Sequence, residues 1–210
     1  MKEASLLFMD KVSFEITESG ERLEGAIRAS MGAGQPKGTR VKPNDAIKKA
    51  IETRLDKFLE SVMAMGKDLS QEKYDEAFYK TIDDMDSDAK QLDSGCKVSF
   101  GRFQKIINIW IKYHVVLAYA ECDESQFGKY KALLPVAHIP VDSYVLNWLR
   151  KSCNGKDSAD VAAMNGFGSW KWEMTKEQYI SLQNVAREIS REKNYSSPLE
   201  LEMKEDIWKS

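Results

Sequence analysis

Residues Arg102–Ala120 read R-F-Q-K-I-I-N-I-W-I-K-Y-H-V-V-L-A-Y-A, and this stretch decides the fold. It is apolar nearly all round a helix, which is the mark of a helix buried among other helices rather than laid on a surface. At about 100° per residue, Gln104, Lys105, Asn108 and Lys112 fall within roughly a quarter of the circumference. Phe103, Ile106, Ile107, Ile109, Trp110, Ile111, Val116, Leu117 and Ala118 fill the opposite arc, broken only by Tyr113 and His114. The narrow polar strip either faces water or lines a cleft. Lys112 speaks for a cleft, since it stands between Ile111 and Tyr113 and is followed by His114-Val115-Val116-Leu117. Desolvation there would make its amine a usable nucleophile.

Outward from this helix, the next informative piece is Leu134-Pro135-Val136-Ala137-His138-Ile139-Pro140-Val141-Asp142. Proline pushes the residue before it into extended backbone, so Ile139-Pro140 cannot lie inside a helix. Asp142 precedes Ser143-Tyr144-Val145-Leu146-Asn147-Trp148-Leu149 and is placed to cap that helix, where a carboxylate is favoured.

Gln104-Lys105, then Lys112 seven residues on, then Ile139-Pro140-Val141-Asp142 thirty residues beyond Lys112, resembles the helix-hairpin-helix DNA glycosylase superfamily. The similarity is closest to its archaeal 8-oxoguanine DNA glycosylase branch and covers roughly fifty of the 210 residues. The resemblance implies a mainly α, two-lobed helical bundle with a cleft between the lobes. It implies Lys112 as a Schiff-base nucleophile, with Lys105 as the second choice, and Asp142 as the catalytic carboxylate. Gln104, Asn108 and His138 would then contact the substrate. The superfamily's hairpin of the form Leu-Pro-Gly-Val-Gly, which holds a DNA phosphate, is replaced here by Asp93–Arg102, so Gly95, Gly101 and Arg102 are the candidates for that task. The four cysteines of the cluster-bearing branches are missing, as they are in the archaeal branch.

Elsewhere the chain supplies scaffold. Residues 1–31 are ambiguous: Val12–Thr17 alternates like a strand, whereas Arg22–Arg28 could equally start a helix, towards which the second half leans. Gly32–Pro43 is a loop by its glycines and prolines, and Lys37 and Arg40 within it could meet a phosphate. Asn44 or Asp45 should cap a helix to about Ala64, with Ile47, Ile51, Leu55, Phe58, Leu59 and Val62 as its apolar face. Ser70 opens another, with Tyr74, Phe78, Ile82 and Met85 inward; the acidic run at its end lacks the glycine and glutamate spacing of a calcium loop. Gly166–Trp172 gathers glycines and aromatics, where Trp170 and Trp172 either pack a loop or form a wall on which an extruded base stacks. Thr175-Lys176-Glu177-Gln178 is a capping box opening a helix to about Glu192, and a last short helix would dock through Trp208.

Composition sets the bounds. A chain of 210 residues with 42% hydrophobic content suits one compact domain over 1–210, divisible into helical lobes at about 44–129 and at 1–43 with 130–210. A net charge of −2 is not the basic footprint of a general nucleic-acid binder, so any DNA contact must be local. Three scattered cysteines, Cys96, Cys122 and Cys153, and two histidines give no metal-ligand spacing, and they suggest reduced thiols in a cytoplasmic or nucleoid-associated protein. Nothing at the N-terminus reads as a signal peptide, and no apolar run reaches a membrane span. The expectation is a monomeric base-excision enzyme without metal or cofactor, acting on damaged DNA that carries an oxidised purine such as 8-oxoguanine. A catalytically inactive helical binding module of that fold is the alternative, and a lysine-dependent enzyme on a small carbonyl compound is a third.

Overall fold

A computed structural model describes residues 1–11, 18–31, 43–95, 98–153, 158–167 and 174–207. The protein is mainly helical, and among the described residues there is no strand. The alternating Val12–Thr17 stretch lies outside the described residues, as do Lys37, Arg40, Trp170, Trp172 and Trp208.

The helix that opens the sequence reading is α5 here, Phe100–Ala120, preceded by α1 (Lys2–Lys11), α2 (Ser19–Met31), α3 (Asp45–Ala64) and α4 (Gln71–Leu92). After it come α6 (Glu124–Phe127), a 3-10 stretch Gly128–Val136, α7 (Ser143–Ser152), α8 (Ala159–Asn165), α9 (Lys176–Glu192) and α10 (Pro198–Lys204). Helices α1, α2, α4 and α6 and the 3-10 stretch all pack on α5. From Gly101 to Ala120 only Tyr119 escapes full burial. The polar strip is therefore not a solvated face: Gln104, Lys105, Asn108 and Lys112 are each at most 7% exposed.

Local chemistry sets the ends of the other helices. Asn44, rather than Asp45, caps α3 by accepting from Ile47 N at 2.9 Å. Ser70 caps α4 and accepts from Lys73 N. Between them the chain turns through Gly66 at φ +53, a left-handed conformation that glycine adopts without strain. The capping box of α9 forms in both directions, with Thr175 N donating to Gln178 Oε1 and Gln178 N to Thr175 Oγ1. The expected apolar face of α3, Ile47 to Val62, is buried, as are Tyr74, Phe78, Ile82 and Met85 of α4. These two helices pair as an antiparallel hairpin. The helix α1 falls in the stretch that the sequence leaves ambiguous. It is fixed by packing on α5 and α10. No helix among the described residues is long and apolar enough to cross a membrane.

Candidate active site

Asp142 sits where the turn predicts, at the N-cap of α7, with its Oδ1 accepting from Tyr144 N and Val145 N, both at 3.0 Å. Its other oxygen, Oδ2, accepts from Lys105 Nζ at 2.9 Å. Lys112, one of the residues expected to face Asp142, instead donates to Glu202 Oε1 of α10 at 2.9 Å. The two lysines lie two helical turns apart on α5, so a single carboxylate does not serve both. The fold gives each its own.

Both pairs border one cavity of about 290 Å³, walled in part by Phe8 of α1 and Tyr144 of α7. The Lys112 ammonium stands over the Phe8 ring, 4.3 Å from its centroid, a cation–π contact in a desolvated setting. Tyr144, 55% exposed, is the most open aromatic on that rim. The charges feel one another as a quartet. Burial pushes the Glu202 carboxyl above its ordinary value; Lys112 opposes this, Asp142 adds to it and Lys105 again opposes it. Glu202 and Phe8 were missed by sequence reasoning. Nothing local marks Glu202 as different from Glu200 two residues earlier, and its contact to Lys112 spans 90 positions.

The turn that carries Asp142 is held by side-chain amides. Gln104 grips Val141 from both sides, its Nε2 donating to the carbonyl at 2.8 Å and its Oε1 accepting from the amide at 3.2 Å. Gln183 of α9 does the same for Ile139, at 2.9 and 3.1 Å. Such reciprocal pairs satisfy a backbone that has no helix or sheet partner. Asn108 donates to Gln104 Oε1 at 3.0 Å and to the Tyr179 hydroxyl at 2.8 Å. The Tyr179 hydroxyl also meets His138 Nδ1 at 2.9 Å, and the opposite ring nitrogen lies 2.7 Å from Asp75 Oδ1 and 2.8 Å from Arg187 Nη2. Burial lowers the His138 pKa despite the raising influence of Asp75, so the ring is neutral. Burial would lift the Asp75 carboxyl, yet the hydrogen bonds from His138 and Gln71 and the nearby Arg187 hold it below its usual range. Arg187 Nη2 donates to both Asp75 oxygens, at 2.9 and 3.0 Å.

This arrangement corrects three expectations. Gln104, Asn108 and His138, proposed as substrate contacts, are at most 1% exposed and engaged with the chain itself. Their polar atoms are spent within the protein, around the turn that carries Asp142. Arg102, expected at a phosphate, is fully buried. The hairpin glycines do not present a pair of open amides either. Gly95 N donates to Asp93 Oδ1 at 2.9 Å, and Gly101 is buried with its carbonyl accepting from Gln104 Nε2 at 2.8 Å. The physical reasons are the Asp93 side chain, which takes the Gly95 amide, and the burial of Gly101 in the first turn of α5.

What the site can do chemically follows from its two ion pairs. A lysine amine hydrogen-bonded to a carboxylate can hand over its proton and become a nucleophile, and the carboxylic acid so formed can return it. Among the described residues no group of three His, Cys, Asp or Glu side chains is gathered as a metal would need. Compared with known protein families, curated proteins and solved structures, the chain finds no match.

Proposed function

We propose that this cavity is the active site of a base-excision DNA glycosylase with lyase activity, acting on an oxidised purine such as 8-oxoguanine through a lysine Schiff base. The observation that carries the reading is the 2.9 Å contact between Lys105 Nζ and Asp142 Oδ2 at a cavity. It pairs the helix lysine and the Ile-Pro-Val-Asp acid of the resemblance, with Lys105 taking the nucleophile's place rather than Lys112. In this mechanism the damaged nucleotide leaves the stack and its base enters the cavity. Lys105 passes a proton to Asp142, and its amine forms a bond to the sugar C1′. The bond from C1′ to the base nitrogen breaks, and its electron pair leaves with the base, which takes up a proton. Transfer of an amine proton to O4′ then opens the sugar ring and gives the Schiff base, and loss of the C2′ proton to the Asp142 carboxylate expels the 3′ phosphate and cleaves the strand.

Borohydride trapping tests this. A duplex carrying 8-oxoguanine or an abasic site should give a covalent adduct with the wild-type protein and none with Lys105→Gln. An adduct that survives Lys105→Gln but is lost in Lys112→Gln returns the role to Lys112. No adduct on either duplex at low salt removes the enzymatic reading. What then stands is the non-cleaving binding module, which the burial of Arg102 and Gly101 favours.

A further inference from the structure

A second cavity, of about 170 Å³, is formed by parts far apart in the chain: Gln71 at the start of α4, Pro135 of the 3-10 stretch, Arg187 and Arg191 of α9, and the segment that leads into α10. The proposed mechanism uses none of it. Its lining holds two guanidinium groups and no carboxylate. Arg187 and Arg191 stand four positions apart on α9, hence on one face, one turn after the other. They differ in what already holds them. Arg187 gives Nη2 to both oxygens of Asp75, at 2.9 and 3.0 Å, which offsets its charge. Arg191 is exposed and has no hydrogen bond or ion pair among the described residues. The acids beside the cavity do not line it and are engaged with their own neighbours. Glu200 Oε2 accepts from Ser196 N and Oγ at 2.8 and 2.7 Å, and Glu72 Oε2 accepts from Ser70 Oγ at 2.8 Å. The lining serines of α9 and of the α10 cap, Ser190 and Ser197, are at most 2% exposed. Both are fixed by hydrogen bonds, Ser190 Oγ donating to the Ala186 carbonyl at 2.7 Å and Ser197 Oγ accepting from Glu200 N at 3.2 Å. The cavity is therefore preformed.

We infer that this cavity binds a phosphate group, with Arg191 as the donor that meets it and Arg187, fixed by Asp75, as the second positive charge behind it. Size and charge together select this occupant. Sites for organic ligands start at about 300 Å³, so a cavity of about 170 Å³ suits a single tetrahedral anion better than a ring system. A guanidinium presents parallel N–H donors at the spacing of phosphate oxygens, and one without a carboxylate partner gives up no ion pair to accept the anion. The inference does not depend on the base-excision reading. Free phosphate and a DNA backbone offer the same non-bridging oxygens, and the test separates them.

Binding of inorganic phosphate to the full chain is followed by titration calorimetry at constant ionic strength. Binding of an undamaged DNA duplex is followed by fluorescence anisotropy over a series of salt concentrations. Where free phosphate is the ligand, the wild type binds one equivalent, and Arg191→Gln weakens this at least about tenfold. Arg191→Lys, which keeps the charge and loses the fork, should fall between the two. Where the backbone is the source, inorganic phosphate shows no binding, whereas Arg191→Gln weakens the duplex and lowers the slope of its salt dependence by about one. Lys57→Gln, at an exposed lysine of α3, controls for the loss of one surface charge and should change neither as much. Unaltered urea midpoints confirm that both variants are folded. A wild-type protein that binds neither ligand overturns the assignment, as does an Arg191→Gln variant that behaves like Lys57→Gln. Either result leaves the borohydride test of Lys105 untouched.

Discussion

Separating the Lys112–Glu202 pair offers the sharpest measurement of how this site is held. At 2.9 Å and an effective dielectric constant of about 20, the two charges attract by about 6 kcal/mol. Both side chains are only 5% exposed, so each has also lost several kcal/mol of hydration, and the intact pair comes out near zero. Removing one partner is a different matter, since it strands the other. Lys112→Met and Glu202→Leu should each destabilise the fold by about 3–5 kcal/mol. For a chain of this size that lowers the melting temperature by roughly 6–20 °C. The double variant, apolar on both sides, should recover most of the loss. Urea unfolding of all four proteins at pH 7 gives the comparison. Lys112→Met adds a check on sign. Its stranded Glu202 carboxyl titrates above the unfolded value, so the variant is relatively most stable below about pH 4 and loses stability as pH rises. Single variants costing under about 1 kcal/mol, or a double variant as weak as the worse single, would refute this account of the pair.

Four further outcomes follow from the geometry. Asp142→Asn keeps a good N-cap for α7 but removes the carboxylate, so folding should survive while borohydride trapping is lost; a variant that still traps sinks the catalytic role of Asp142. His114 is lowered to about 4 by burial, and His138 is lowered by burial as well, so protons bind the unfolded chain first. Stability should fall as pH drops from about 6.5 towards 4, His114 contributing roughly 3 kcal/mol, and His114→Leu should flatten that limb in urea midpoints. Gln104→Ala leaves both polar groups of Val141 without their side-chain partner and should cost about 2–4 kcal/mol, with faster amide exchange at Val141 than elsewhere in the core. Arg54→Ala breaks contacts to Asp84 and Asp88 on a solvated face and should change stability by less than about 1 kcal/mol.

The sequence by itself determined the mainly helical class, because apolar spacing of three and four residues in α3, α4 and α9 and their capping residues are local facts. It determined that α5 is central, because no helix apolar on every side is stable in water. It placed Asp142 at a helix start through Pro140 and the run behind it. Only the tertiary structure decided what the polar strip of α5 faces, since a helical wheel gives direction but no neighbour. That is why Lys105, not Lys112, meets Asp142, and why Gln104, Asn108 and His138 turned out to hold the turn. Glu202 and Phe8 reach the site from α10 and α1, whose sequences carry no sign of it. Partners that lie tens of residues apart are chosen by packing, and packing is settled by the whole chain at once.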